Sequence, residues 1–318
     1  GRTFIEIGKN KKGHPVYGWA QDSRKHHFLN LFFQQANLIL AYFFLAPLIG
    51  QKLTFLSLLL FAVHPICMQA VALISGVNYT ACLTFTLATF LIAQNITNPY
   101  VYIALSTITL NLACLFFLPA CFTWIIFLFL KQWNIALIAF LIGTAHALTY
   151  GRGVMVYRVD AFKKQQMEKS TQIGWRKLII VFKTIWYYFL FFPFPKRLGL
   201  FHSWGYHFEE PLEHTDHLFW KGIGVTLASC IALAIAPFAI QFSILWIAVF
   251  IVIFLNFMTA QQFVSERYAY IPSFGYCILM AFFLQWVPPL LWLILGIYMM
   301  RVWIHLPSFR NEVRFYEA

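Results

Sequence analysis

Long apolar runs, broken at short polar points, make up most of this chain. Runs such as LIIVFKTIWYYFLFFPF and SILWIAVFIVIFLNFM lack the alternation in roughly 10-residue units that marks a membrane barrel, so they read as helices. A helix needs about 20 such residues to cross a bilayer, or fewer if it is short or re-entrant. The pattern predicts apolar elements at 28–47, 53–74, 80–93, 100–130, 135–150, 178–195, 218–236, 244–258, 271–284 and 288–300. The stretch 100–130 is too long for one span and short for two, and Pro119 sits near its middle. A kink or two short helices are expected there. Ten or eleven spans follow, with no internal repeat and no linker. The fold class is therefore all-α: a polytopic membrane protein forming a single transmembrane domain over residues 1–318.

Composition agrees with this. The chain is 61% hydrophobic and 11% charged, with mean hydropathy +0.70, against about 25% charged in soluble domains. Its 36 Phe, 15 Tyr and 11 Trp suit lipid-facing surfaces and interfacial belts. No Asp or Glu occurs between Asp22 and Asp160, as expected for a half that lies in lipid. Eight Lys or Arg fall between Arg152 and Lys183, opposed only by Asp160 and Glu168. The positive-inside rule makes 152–177 a basic cytoplasmic segment, which places 196–216 and 259–272 on the extracytoplasmic side. The net charge of +12 thus reads as topology and contact with anionic membrane lipids, not nucleic acid. The six cysteines lie in apolar segments without CxxC spacing and read as packing residues. The chain opens on Gly1 and closes inside RNEVRFYEA, so both ends are expected to be trimmed relative to the gene product.

Three places carry candidate chemistry. Glu266 and Arg267, in FVSERYAYIPSFGY, stand at the end of an apolar span. They are either an ion pair anchoring the helix end or an anion site, since the planar guanidinium fork matches phosphate oxygens. His64–Pro65 interrupts the apolar FAVHPICMQAVALISG, and Gln69 and Asn78 supply uncharged polar groups nearby. A helix broken within a membrane lines a cavity or is buried in protein, and an interfacial capping histidine is the other reading. The segment 201–217 gathers His214, His217 and Glu213, either a divalent-metal set or a solvated loop.

Five segments resemble, in order, those of the transmembrane-and-tetratricopeptide-repeat O-mannosyltransferases (TMTC-like) and their bacterial relatives. HHFLNLFFQQANLILAYFFL is similar to "FHLVNLLLHALNALL". FAVHPICMQAVALISG resembles "FAVHP…(E/Q)AV…ISGR". LFFPFP is similar to "LLFPLP", and VSERYAYIPSFGY to "AERYLYLPSVGF". RVWIHLPSFRNEVRFYEA resembles the stretch leading into the repeats. The resemblance implies a GT-C-type fold that transfers a sugar from a polyprenyl-phosphate donor to a protein hydroxyl at the extracytoplasmic face of a bacterial inner membrane or ER-type membrane. It implies that Arg267, Glu266 and His64 hold the donor phosphate, that Gln69 and Asn78 line the cavity, and that an acid acts as base. The family's first helix, its acidic pair and its repeats are not matched here, and Asp22 is the candidate acid. With those charges missing, a non-catalytic membrane module anchoring or assembling a larger envelope complex is the alternative.

Overall fold

The computed structural model describes residues 3–9, 15–20, 23–72, 76–149, 175–193, 195, 202–203, 217–252, 263–264 and 266–306. Side chains at 3–9, 15–20, 23–26, 175–177, 180, 202–203, 263–264 and 266–267 lie outside the description. A short antiparallel pair, β1 (Thr3–Lys9) and β2 (Pro15–Ala20), precedes the helices. α1 (Ser23–Ile49) ends at Gly50, whose φ of 86° is left-handed backbone that glycine adopts without a steric cost. α2 (Gln51–Val63) stops at His64, which is extended, as a residue before proline tends to be. Pro65 then opens α3 (Pro65–Ala72), bent 61° from α2.

α4 (Val77–Asn95) is followed by α5 (Pro99–Phe116). The Asn98 side chain caps α5 by accepting from the Tyr100 and Val101 amides at 3.0 and 3.2 Å. Phe117 is extended, and a 3-10 turn at Leu118–Phe122 leads into α6 (Trp124–Phe129). The break around Pro119 is thus present. Next come α7 (Trp133–Thr149), α8 (Trp175–Phe191), α9 (His217–Ile235), α10 (Phe238–Ile251), α11 (Glu266–Leu284) and α12 (Pro288–His305). The pair β3 (His202–Ser203) and β4 (Phe263–Val264) joins the chain after α8 to the chain just before α11.

Among the described residues, five helices are long and apolar enough to cross a membrane, six if the broken pair α2–α3 counts as one span. Leu118–Phe129, Trp133–Thr149, Phe238–Ile251 and Tyr268–Leu284 are apolar but shorter. The chain is a multi-pass helical membrane protein. α8 is not among these helices. Its Phe182 and Trp186 meet the first turns of α9, at Phe219 and Lys221, and the residue just beyond it, Phe192, reaches His64.

Side-chain pairs fix the helix directions. α1 and α4 run parallel, since Asn37 meets Thr80 and Thr84 while Phe44 meets Phe90 and Gln94. Tyr270, near the start of α11, reaches Asn37. α1, α4 and α11 therefore all begin at one end, the upper end. α5 returns upward: Thr109 bonds Thr89, and Phe117 packs on Tyr79. α7 also rises, because Phe129 just before it stacks on Phe238 at the lower end, whereas His146 bonds Asn111 and Gly143 abuts the Cys121 carbonyl. α9 descends to meet α10 at its lower end, where Gln241 bonds the Leu233 carbonyl.

The end of α7 and the start of α9 thus lie at the same end as the start of α11. The lower turns hold only Lys52 and Lys131 of the 23 Lys and Arg, and none of the 11 Asp and Glu. Exposed aromatics ring both ends, with Tyr100, Trp133 and Trp286 below and Phe28, Trp220 and Trp303 above, the belts expected at two membrane interfaces.

α11 is the core of the molecule. Residues 269–278 are all buried, and the helix packs on α2, α3, α4, α10 and α12. Aromatic rings fill the lower half, including Phe44–Phe90, Phe90–Phe127 and Trp246–Phe274 at 4.8, 4.3 and 5.1 Å between centroids. Lipid is as apolar as these rings, so association in the membrane depends on close packing and interhelical hydrogen bonds more than on burial of apolar area.

Candidate functional site

Two polar clusters lie inside the upper half. The first belongs to Tyr270. Its hydroxyl donates to Gln34 Oε1 and accepts from Asn37 Nδ2 at 3.1 Å. Asn37 Nδ2 also donates to the Thr80 carbonyl at 3.0 Å, and Asn37 Oδ1 accepts from the Thr84 hydroxyl at 2.7 Å. Asn30, Gln34 and Asn37 are all buried. Their spacing of four and three residues sets them on one face of α1, turned inward and continued downward by the buried Ala41, Phe44 and Leu45. Ser273 continues the polar line one turn down α11, donating to the Tyr270 carbonyl at 2.7 Å and meeting Cys67 Sγ at 3.7 Å. Every group in this cluster is uncharged. This suits a low-dielectric interior, where unpaired charge is costly.

The second cluster grips the end of α8. His64 Nδ1 accepts from the Ile66 amide at 3.3 Å, so the ring is protonated on Nε2, which donates to the Phe192 carbonyl at 3.1 Å. The Tyr298 hydroxyl donates to the Pro193 carbonyl at 2.9 Å, and Arg301 donates to the Pro195 carbonyl. Tyr276 stacks on Phe192 and meets His64 edge-on. Three carbonyls of a proline-rich strap are thus held by three side chains from the α2–α3 break and α12.

The residues singled out from sequence separate accordingly. Glu266 and Arg267 are the first two residues of α11 at the upper end, and their side chains lie outside the described residues. Glu266 is one turn ahead of Tyr270 on the same helix face. His64 does not join them. Both its ring nitrogens are committed to protein, and its neighbour Tyr276 is nine residues along α11 from Arg267, about 13 Å of helix rise. Gln69 is buried in α3, whereas Asn78 is exposed at the start of α4. His217 is exposed at the first position of α9. Glu213, His214 and Asp22 lie outside the described residues, among which no three metal-ligating groups come together.

The α1 face of Asn30, Gln34 and Asn37 was missed from sequence, although the four-and-three spacing inside HHFLNLFFQQANLIL is a readable signal. Comparison with protein-family models, curated proteins and solved structures returns no match.

Proposed function

We propose that this chain is the membrane module of a GT-C-like glycosyltransferase that binds a polyprenyl-phosphate-linked sugar at its upper end, beside the first turn of α11. One observation carries the reading. The five segments that bear the family resemblance are scattered along the sequence, yet they meet in two adjoining clusters below that turn. α1 supplies Gln34 and Asn37, the broken helix supplies His64 and Cys67, and the strap supplies Phe192 and Pro193. α11 supplies Tyr270 and Tyr276, and α12 supplies Arg301.

In this reading the amides at the start of α11 and the Arg267 guanidinium hold the phosphate, as helix N-termini and arginine both favour anions. A carboxylate takes the proton from an acceptor hydroxyl as that oxygen bonds the sugar's anomeric carbon, and the polyprenyl phosphate departs. Asp22 directly precedes α1 and Glu266 opens α11, so both candidate acids attach at the upper end. That end faces away from the cytoplasm. The lower turns are short and their only charges are Lys52 and Lys131. The positive-inside rule weighs Lys and Arg in short loops, and among the short turns those two lysines lie at the lower end.

The family's acidic pair is not matched in the sequence, which has no Asp or Glu between Asp22 and Asp160, and this favours a second reading, a non-catalytic module that binds the lipid phosphate and anchors an envelope assembly. One assay separates the two. The protein in nanodiscs is given a polyprenyl-phosphate sugar and a Ser/Thr peptide. Transfer that Arg267→Ala abolishes supports the enzyme. Donor binding without transfer supports the module, and transfer unaffected by Arg267→Ala removes the assigned site.

A further inference from the structure

The strap after α8 does more than end a helix. Its carbonyls at Phe192, Pro193 and Pro195 are held by His64, Tyr298 and Arg301, and Phe192 is stacked on Tyr276 of α11. Prolines at 193 and 195 offer no amides, so carbonyls are the backbone groups by which those two residues can be gripped. Seven residues beyond Pro195 the chain pairs as β3 with β4, His202 opposite Val264 and Ser203 opposite Phe263. β4 ends two residues before Glu266. The held carbonyls and the β3–β4 pair are thus two anchored points seven residues apart in the chain, the second of them adjoining the first turn of α11.

We propose that His64, Tyr298 and Arg301 are positioning residues for that turn: by holding the strap they fix where β3 meets β4, and so where Glu266 and Arg267 are presented. The proposal builds on the donor-site reading, and it assigns a role to three residues whose hydrogen bonds go to the strap. It also accounts for the otherwise costly burial of an imidazole and a tyrosine hydroxyl in the membrane, since each is spent on a strap carbonyl and not on the helix ladder.

The test uses the full chain in nanodiscs with cysteines at the paired positions (His202→Cys with Val264→Cys), the cross-link being located by peptide mapping. Tyr298→Phe and Arg301→Gln each remove one hydrogen bond and shift a docking equilibrium by about two- to tenfold. The double variant is expected to cut the cross-link yield at 202–264 and to weaken polyprenyl-phosphate binding, with the melting of the helical body little changed. His64→Ala is expected to do the same, and His64→Asn, whose amide can still donate to the Phe192 carbonyl, to restore part of the yield. An unchanged cross-link yield overturns the proposal. A lost cross-link with donor affinity intact overturns the positioning role as well, because the strap would then be held without serving the turn. Failure of the unmodified chain to bind polyprenyl phosphate defeats the donor-site reading instead, and the cross-link still reports on the strap by itself.

Discussion

Tyr270→Phe removes one oxygen from the centre of the bundle. The hydroxyl makes two interhelical hydrogen bonds, to Gln34 and from Asn37. Such bonds inside membranes average about 0.6 kcal/mol and reach about 1.7, which gives roughly 1–3 kcal/mol for the pair. The partners are not equally hurt. Asn37 Nδ2 keeps the Thr80 carbonyl, whereas Gln34 Nε2 is already buried without a partner among the described residues. Loss of Tyr270 strands the whole Gln34 amide, which adds about 1 kcal/mol. The expected cost is therefore about 2–4 kcal/mol, read from SDS-titrated unfolding in mixed micelles by tryptophan fluorescence. Gln34→Leu removes the stranded group, so the double variant should lose about 1 kcal/mol less than the sum of the singles. A single-variant loss under about 0.5 kcal/mol, or strict additivity, would refute the network.

Gly222→Ala puts a methyl 1.9 Å from the Phe182 carbonyl, where ordinary contact begins at 3.4 Å. α8 and α9 must part, at about 1–3 kcal/mol, and the melting temperature should fall, while Gly224→Ala, with nothing within 4 Å, should leave it unchanged. Single cysteines at Lys52 and Lys131 should react with a membrane-impermeant maleimide from the side opposite to cysteines at Thr149 and His217. Labelling of Thr149→Cys and His217→Cys from different sides would contradict the shared upper end.

What the sequence disclosed, and what it hid, divides along physical lines. The break at Pro119 and the bend at His64–Pro65 were legible because proline acts locally, on its own amide and on the residue before it. The stretch 178–195 shows the limit of apolar length: WRKLIIVFKTIWYYFLF carries Arg176, Lys177 and Lys183, and its packing against the start of α9 at Phe219 and Lys221 is a tertiary contact that apolar length does not encode. Within the site, the charged pair Glu266–Arg267 drew the eye, whereas Asn30, Gln34 and Asn37 are uncharged and diluted among Phe and Leu. His64 was singled out correctly as the point of interruption, but its ring turned out to be fully used by Ile66 and Phe192. Sequence shows that a buried polar group exists, and tertiary structure decides what satisfies it.

The central claim is that the start of α11 is an anion site for a prenyl-linked phosphate. Equilibrium binding of polyprenyl phosphate to the protein in nanodiscs, compared between the unmodified chain and Arg267→Gln, tests it most directly. The account predicts at least about tenfold weaker binding by the variant, from loss of a charge-assisted hydrogen bond worth about 1.5–3 kcal/mol, with Lys131→Gln at the lower end unaffected. Equal affinity in Arg267→Gln and the unmodified chain would contradict it.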